Sequence, residues 1–164
     1  MKIGTPPITP PSLFDASSRC MRPETDEVVG WQKKREGGVS LPTILIVDDD
    51  PDMRRYLGRC LRPMASRVVE ARNGAEALGL VRAAGPGGFD LIITDVVMPG
   101  MDGLSLRKAL ATDLTLGAPA VLLITGENPG PGAEPLLRKP FNARTLRRCV
   151  GDLLAGARGA REES

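Results

Sequence analysis

From Thr43 onward, short apolar runs alternate with longer segments of helical periodicity, and this alternation restricts the possible folds more than any other feature. The runs are rich in β-branched residues, as strands are. They read TILIVDD, RVVEA, FDLIITD, PAVLLIT and the short PLLRKP. Because they are nearly continuous rather than alternating with polar residues, they indicate parallel strands buried on both faces by helices. The sequence therefore predicts a doubly wound α/β domain with a five-stranded parallel sheet.

The segments between these runs carry the signals of helices. PDMRRYLGRCLRPM places a set of apolar residues at helical spacing: Met53, Leu57, Cys60, Leu61 and Met64. NGAEALGLVRAAG is predicted as a second helix closed by glycine, and GLSLRKALA as a third. The last helix, NARTLRRCVGDLLAG, has Asn142 as its predicted N-cap.

Composition excludes several classes of function. The chain of 164 residues contains no histidine, which excludes histidine-based catalysis and histidine metal ligands. A net charge of +2 gives no electrostatic reason to expect direct DNA binding or membrane association. No apolar run approaches the roughly 18 residues of a membrane span, and the N-terminus lacks the apolar core of a secretory signal. The cysteines, Cys20, Cys60 and Cys149, show no paired spacing, so we expect a cytoplasmic protein in a reducing compartment.

The chain divides into three unequal parts. Residues 1–40 contain repeated prolines and no sustained periodicity, which predicts a disordered N-terminal extension, with Met21 as an alternative start. Its basic cluster QKKREGG is interpreted as a solvated linker, with contact to nucleic acid or a partner as the alternative. Residues 41–156 form the predicted domain, and residues 157–164 a short flexible tail. Neither flank is long enough for an output module, so we expect a single-domain protein.

Charged and polar residues stand where four of the predicted strands end. Asp48 and Asp49 follow the first strand, Asp95 ends the third, Thr125 ends the fourth, and Lys139 ends the fifth. Each alone has an ordinary structural explanation, but the carboxyl ends of parallel strands meet at one edge, where ligands bind. Three carboxylates so close would repel unless a cation shared them, and Mg²⁺ suits oxygen ligands and phosphate. The pattern predicts a phosphoryl site with Asp95 as the nucleophile.

The same residues carry a resemblance to a known family. The motifs ILIVDDDPDMRRYL, FDLIITDVVMPGMDG, VLLITG and LRKPF, in this order over about residues 42–155, resemble the CheY-like receiver domain of two-component response regulators. The resemblance implies a flavodoxin-like sheet of order 2-1-3-4-5. It also implies that Asp95 accepts a phosphoryl group from a histidine kinase or a histidine phosphotransfer protein. The reaction would depend on Mg²⁺, and the signal would pass by protein–protein contact or phosphorelay to a downstream target that the sequence does not identify.

The resemblance further implies roles for individual site residues. The metal ligands would be carboxylates of Asp48, Asp49 and Asp95 together with the backbone carbonyl of Val97. Thr125 and Lys139 would contact the phosphoryl oxygens, and the Lys139–Pro140 peptide would be cis, which is reasonable because cis bonds occur almost only before proline.

The chain departs from this family between the fourth and fifth strands. Relatives have their fourth helix there, whereas residues 126–135 read GENPGPGAEP. A proline in a helix interior costs about 3 kcal/mol and a glycine about 1 kcal/mol relative to alanine, so we predict a loop. Leu136 stands where many relatives carry an aromatic switch residue, which casts doubt on the usual aromatic–threonine switch. Val97 and Glu127 lie where relatives tune the lifetime of the phosphoryl group.

Two other functions are compatible with parts of the pattern. A receiver fold kept only as a phosphorylation-independent scaffold would explain the missing helix, although the intact acids and Lys139 oppose it. A phosphatase of the haloacid-dehalogenase type also uses a strand-end aspartate, Mg²⁺ and a lysine, but it needs a second aspartate where this chain has Val97. We therefore expect a signalling module rather than an enzyme, with at most weak self-dephosphorylation.

Overall fold

Five parallel strands form one sheet in a computed structural model that describes residues 41–162, with side chains described for 41–157. The strand order is β2-β1-β3-β4-β5, as predicted. The strands are β1 (Thr43–Val47), β2 (Arg67–Ala71), β3 (Leu91–Asp95), β4 (Ala120–Thr125) and β5 (Leu136–Arg138). The predicted N-terminal extension, with Met21 and Cys20, lies outside the described residues. The central strand is β3, which pairs with β1 on one side and β4 on the other.

Four α-helices connect or follow these strands in the described part of the chain. They are α1 (Pro51–Leu61), α2 (Gly74–Ala84), α3 (Gly103–Thr112) and α4 (Ala143–Glu162), with short 3₁₀ turns at Arg62–Met64 and Leu114–Leu116. The Asn142 side chain accepts a hydrogen bond from the Thr145 amide at 2.9 Å, which confirms the predicted N-cap of α4.

The last helix continues past the predicted end of the domain. Residues 157–162, within the predicted tail 157–164, are helical. They contain alanine and arginine, which rank among the best helix formers, and helix propagation adds residues more easily than nucleation. The boundary of the folded domain stays a prediction, since the last two residues lie outside the described range.

Two apolar clusters cover the two faces of the sheet. One joins β1, β3, β4 and β5 to α1 and α4, and it buries Leu57, Cys60 and Leu61, with Met53 and Met64 packed against it. This is the apolar face of α1 that the spacing predicts. The other cluster packs α2 and α3 against the opposite face. Burial on both faces explains why the strand sequences are nearly continuous apolar runs.

The segment between β4 and β5 is a loop, as its prolines and glycines predict. Residues 126–135 contain no helix, and Gly130 and Gly132 adopt positive φ values of 86° and 82°. These values lie in a region that residues with a Cβ rarely occupy. Within residues 41–162, no helix is both long enough and apolar enough to cross a membrane.

Candidate functional site

The acidic residues predicted from the sequence meet at the carboxyl edge of the sheet. Asp48 and Asp49 directly follow β1, and Asp95 is the last residue of the central strand β3. A carboxylate oxygen from each of the three lies within 4.8 Å of the others. Strand register produces this convergence, because β1 and β3 pair in parallel up to Val47 and Thr94.

Asp48 is the most deeply buried member of this acidic cluster, with 1% of its surface exposed. Its Oδ1 accepts a hydrogen bond from the Asp50 amide at 2.9 Å. Its Oδ2 is buried and has no hydrogen-bond partner among the described residues. Burial raises the pKa of the Asp48 carboxyl, while the Asp50 amide and the charge of Lys139 act in the opposite direction.

Lys139 is the cation that faces the acidic cluster. Its Nζ lies 3.4 Å from Asp95 Oδ1 and 3.7 Å from Asp48 Oδ2. Its amide donates to the Thr125 carbonyl oxygen at 2.8 Å, so pairing of β5 with β4 places the lysine at the edge. The Lys139–Pro140 peptide is cis, as the resemblance implies.

The Asp95 side chain is mostly enclosed, with 12% of its surface exposed. Burial raises the pKa of the Asp95 carboxyl, and the charge of Lys139 and a hydrogen bond to it oppose that rise. A carboxylate held beside an ammonium at the centre of the sheet can attack an electrophile that approaches from the open edge.

Thr125 is fully buried at the end of β4. Its Oγ1 accepts a hydrogen bond from the Glu127 amide at 3.0 Å. A hydroxyl carries one donor and two acceptor positions, so a hydroxyl that accepts this bond still has its O–H to donate. The neighbouring strand end therefore offers a neutral donor beside the charged groups.

The backbone behind Asp95 is tightly packed, a feature that the sequence analysis missed. The Gly103 amide donates to the Val96 carbonyl oxygen at 3.0 Å, which brings the start of α3 against the end of β3. A Cβ at Gly103 would overlap the Asp95 carbonyl oxygen. The only signal in the sequence is the glycine after Asp102, which also fits an ordinary helix start. Val97, two residues past Asp95, is 57% exposed, and the role of its carbonyl stays a prediction.

The donor set of the acidic cluster fits a hard divalent cation. It consists of carboxylate oxygens, the ligands that Mg²⁺ prefers. The buried Asp48 Oδ2 has no hydrogen-bond partner among the described residues, and Lys139 Nζ lies 3.7 Å from it, so a cation or donor in direct contact would stabilise this oxygen. Lys139 alone cannot balance three carboxylates, so a further positive charge would stabilise the cluster.

Comparisons with known proteins agree with this geometry. A profile of the response regulator receiver domain matches residues 44–150. PilH from Pseudomonas aeruginosa is 31% identical over 121 residues, which cover 69% of this chain and 98% of PilH. The receiver protein CpdR from Brucella abortus is 34% identical over 123 residues, covering 70% of this chain and 98% of CpdR.

Solved structures show the same fold. The chemotaxis protein CheY4 from Vibrio cholerae superposes with a TM-score of 0.62 at 30% identity, over 70% of this chain and 99% of that one. The receiver domain of the hybrid histidine kinase CckA gives a TM-score of 0.57 at 36% identity, over 68% and 98% of the two chains.

Proposed function

The chain belongs to the response regulator receiver domain family, and we propose that its Asp95 accepts a phosphoryl group from a phosphohistidine of a histidine kinase or phosphotransfer protein. The observation that carries the proposal is the Asp95 carboxylate, 3.4 Å from Lys139 Nζ and clustered with Asp48 and Asp49. Phosphorylation on an aspartate is the reaction expected of this family, whose relatives are signalling proteins rather than classical enzymes.

The transfer can be written from this chain's own residues. An Oδ atom of Asp95 forms a bond to phosphorus while the bond from phosphorus to the donor's imidazole nitrogen breaks. That nitrogen keeps the electron pair, and the product is an acyl phosphate. Lys139 balances charge on the phosphoryl oxygens, and the Thr125 hydroxyl donates a hydrogen bond to one of them.

Mg²⁺ fits the acidic cluster and would be held by Asp48, Asp49, Asp95 and the Val97 carbonyl. When bound, it supplies positive charge to the phosphoryl oxygens. Hydrolysis of the acyl phosphate by water gives at most a slow self-dephosphorylation.

We further propose that residues 41–156 act as a single receiver domain. Because Cys60 and Cys149 are free thiols, we place the protein in the cytoplasm, where it signals through a protein partner or a phosphorelay.

The test is phosphorylation of the full chain by a histidine kinase, or by acetyl phosphate, in the presence of Mg²⁺. Intact-mass spectrometry should show one added phosphoryl group on the wild type and none on Asp95→Asn. Asp152→Asn is the matched control, because it removes the same charge from an exposed position on α4. Wild type that stays unmodified with the kinase, or equal labelling of Asp95→Asn, would refute the proposal.

A phosphorylation-independent scaffold is the second candidate, and the loop at residues 126–135 favours it because this segment replaces a family helix. Under that function, a partner isolated with the unmodified protein would bind the beryllofluoride adduct with the same affinity. A phosphatase of the haloacid-dehalogenase type is disfavoured, because Val97 offers no side-chain acid.

A further inference from the structure

Arg54, near the start of α1, is hydrogen-bonded to the backbone that carries the two adjacent acids. Its Nη1 donates to the Asp48 carbonyl oxygen at 2.7 Å. Its own amide donates to the Asp50 carbonyl oxygen at 3.1 Å, so Arg54 contacts both ends of the segment 48–50. Only 13% of the Arg54 side chain is exposed, which shields the first of these bonds from competing water.

The carbonyl that Arg54 contacts belongs to the peptide unit between Asp48 and Asp49. A peptide unit is planar, so a donor that fixes the direction of its carbonyl also fixes the direction in which the chain continues. The Cα atoms at the two ends of this unit carry the two carboxylates, and each carboxylate offers an oxygen to the acidic cluster. Asp49 is exposed, so packing against the core does not impose the direction of its side chain. The bond from Arg54 therefore acts on the relative directions of both acids.

Glu70, on β2, is the second partner of the Arg54 guanidinium. Arg54 Nε lies 3.5 Å from Glu70 Oε2. The guanidinium is planar and its donors form a rigid fork, so a contact at Nε restricts the direction of Nη1. The Glu70 carboxylate also offsets the positive charge of Arg54. Position, rather than added charge, is then the main effect that Arg54 exerts on the acids.

We propose that Arg54 is a positioning residue of the phosphoryl site, which sets the relative directions of the Asp48 and Asp49 carboxylates, and that Glu70 acts through it. The inference rests on the proposed function, because these acids are the ligands proposed for Mg²⁺. Without Arg54, the Asp48 carbonyl oxygen loses a charge-assisted hydrogen bond, and the peptide unit can turn towards other donors. Ordering the two acids then adds to the free-energy cost of binding a cation.

The hydrogen bond itself is tested by NMR on the full chain without metal. A carbonyl carbon resonates at lower field when its oxygen accepts a hydrogen bond, so Arg54→Ala should move the Asp48 carbonyl resonance upfield. Arg55→Ala is the matched control, because it removes the same charge from the next position on α1, where the side chain is exposed and contacts Asp52. It should leave the Asp48 resonance in place. Thermal unfolding of each variant verifies that it is folded.

Isothermal titration calorimetry with MgCl₂ tests the consequence for the site. Arg54→Ala should raise the dissociation constant of Mg²⁺ about tenfold, a typical loss when a group that orients a metal ligand is removed. Arg54→Lys keeps a donor without the fork, so its loss should be smaller. Glu70→Ala should also raise the constant, and the double variant should bind no more weakly than Arg54→Ala alone, because Glu70 acts through the arginine.

Phosphorylation by the kinase separates positioning from chemistry. Labelling of Arg54→Ala should be slow at low Mg²⁺ concentration and approach the wild-type rate at saturation. Should Arg54→Ala fail to fold, Arg54→Lys and Glu70→Ala carry the same comparison.

Three results would overturn the inference alone. They are wild-type Mg²⁺ affinity in the Arg54 and Glu70 variants, which is the outcome for a residue that only stabilises the fold, an Asp48 resonance that stays in place, and an equal loss of affinity in Arg55→Ala. A wild type that neither binds Mg²⁺ nor becomes phosphorylated would overturn the proposed function, and the inference with it.

Discussion

Adjacent aspartates at the end of β1 occupy different environments, although the sequence presents them as one run of acids. Asp48 is buried and fixed by the Asp50 amide, whereas Asp49 is exposed. The side chains of consecutive residues after a strand diverge, so one acid faces the core and the next faces solvent. Both still contribute an oxygen to the acidic cluster.

Asp49→Asn should weaken Mg²⁺ binding about tenfold or more, which corresponds to about 1.4 kcal/mol or more. The substitution keeps the size of the side chain but replaces a charged ligand with a neutral one. Isothermal titration calorimetry with MgCl₂ measures the change. Asp52→Asn removes the same charge from an exposed position on α1 and should leave affinity near that of the wild type. Equal losses in both variants would show that only general charge matters.

At this scale the types of the site residues were predictable, but their contacts were not. Strand ends alone predicted that Asp48, Asp49 and Asp95 would converge. The lack of a hydrogen-bond partner at Asp48 Oδ2 and the crowding at Gly103 depend on side-chain and backbone positions in three dimensions, which no spacing in the sequence specifies.

Among the elements, α3 begins against the end of β3, where the Gly103 amide donates to the Val96 carbonyl oxygen, and its first turn depends on a titratable cap. The Asp102 side chain accepts a hydrogen bond from the Ser105 amide at 2.7 Å. This bond holds the pKa of the Asp102 carboxyl below its usual value of 3.8. A carboxyl with a lowered pKa stabilises the folded state above its unfolded pKa, and this contribution is lost as pH falls through the folded value.

Asp102→Ala should therefore lower the free energy of unfolding by about 1 kcal/mol near neutral pH, the usual loss for a helix cap. The difference from the wild type should shrink as pH falls below about 4, where the wild-type carboxyl takes up its proton. Urea unfolding at a series of pH values measures it. Asp102→Asn keeps a capping oxygen without the titration, so its difference from the wild type at neutral pH should be small. A constant deficit of the alanine variant down to pH 2 would contradict the assignment.

The sequence predicted the type of an element, helix, strand or loop, wherever the residues of that segment alone determine it. The loop at 126–135 is predictable because proline and glycine forbid a helix whatever surrounds them. The hydrogen bonds that the Arg107 side chain donates to the carbonyl oxygens of Gly132 and Glu134 were not predictable in this way. They join residues 25 and 27 positions apart, and an arginine in a helix has many possible partners. The sequence also did not predict that α4 continues to Glu162, because a segment such as GAREE is compatible with a helix and with a solvated tail.

For the molecule as a whole, a cation bound at the acidic cluster would make folding and metal binding interdependent. The carboxylates converge only in the folded chain, so a cation that binds them stabilises the folded state by mass action. The apolar clusters on both faces of the sheet hold these like charges together against their repulsion.

Mg²⁺ at one hundred times its dissociation constant should raise the free energy of unfolding of the wild type by about 2.7 kcal/mol. Differential scanning calorimetry with increasing MgCl₂ measures the corresponding rise in Tm. Asp49→Asn should need a higher MgCl₂ concentration for the same rise. Sodium chloride at matched ionic strength is the control, and an equal rise with sodium would show that screening, not a specific site, stabilises the fold.

The close approach of Gly103 to the Asp95 carbonyl oxygen also limits which residues are compatible with this fold at position 103. Any side chain at position 103 must displace the strand end that carries Asp95, the proposed acceptor, although no atom of the glycine takes part in the proposed reaction. In a saturation mutagenesis scan scored by signalling, positions 103 and 95 would therefore both tolerate few substitutions, but for unrelated reasons. A parallel scan scored by protein abundance would separate them, because under the proposed function loss at Asp95 is chemical, whereas loss at Gly103 begins with packing.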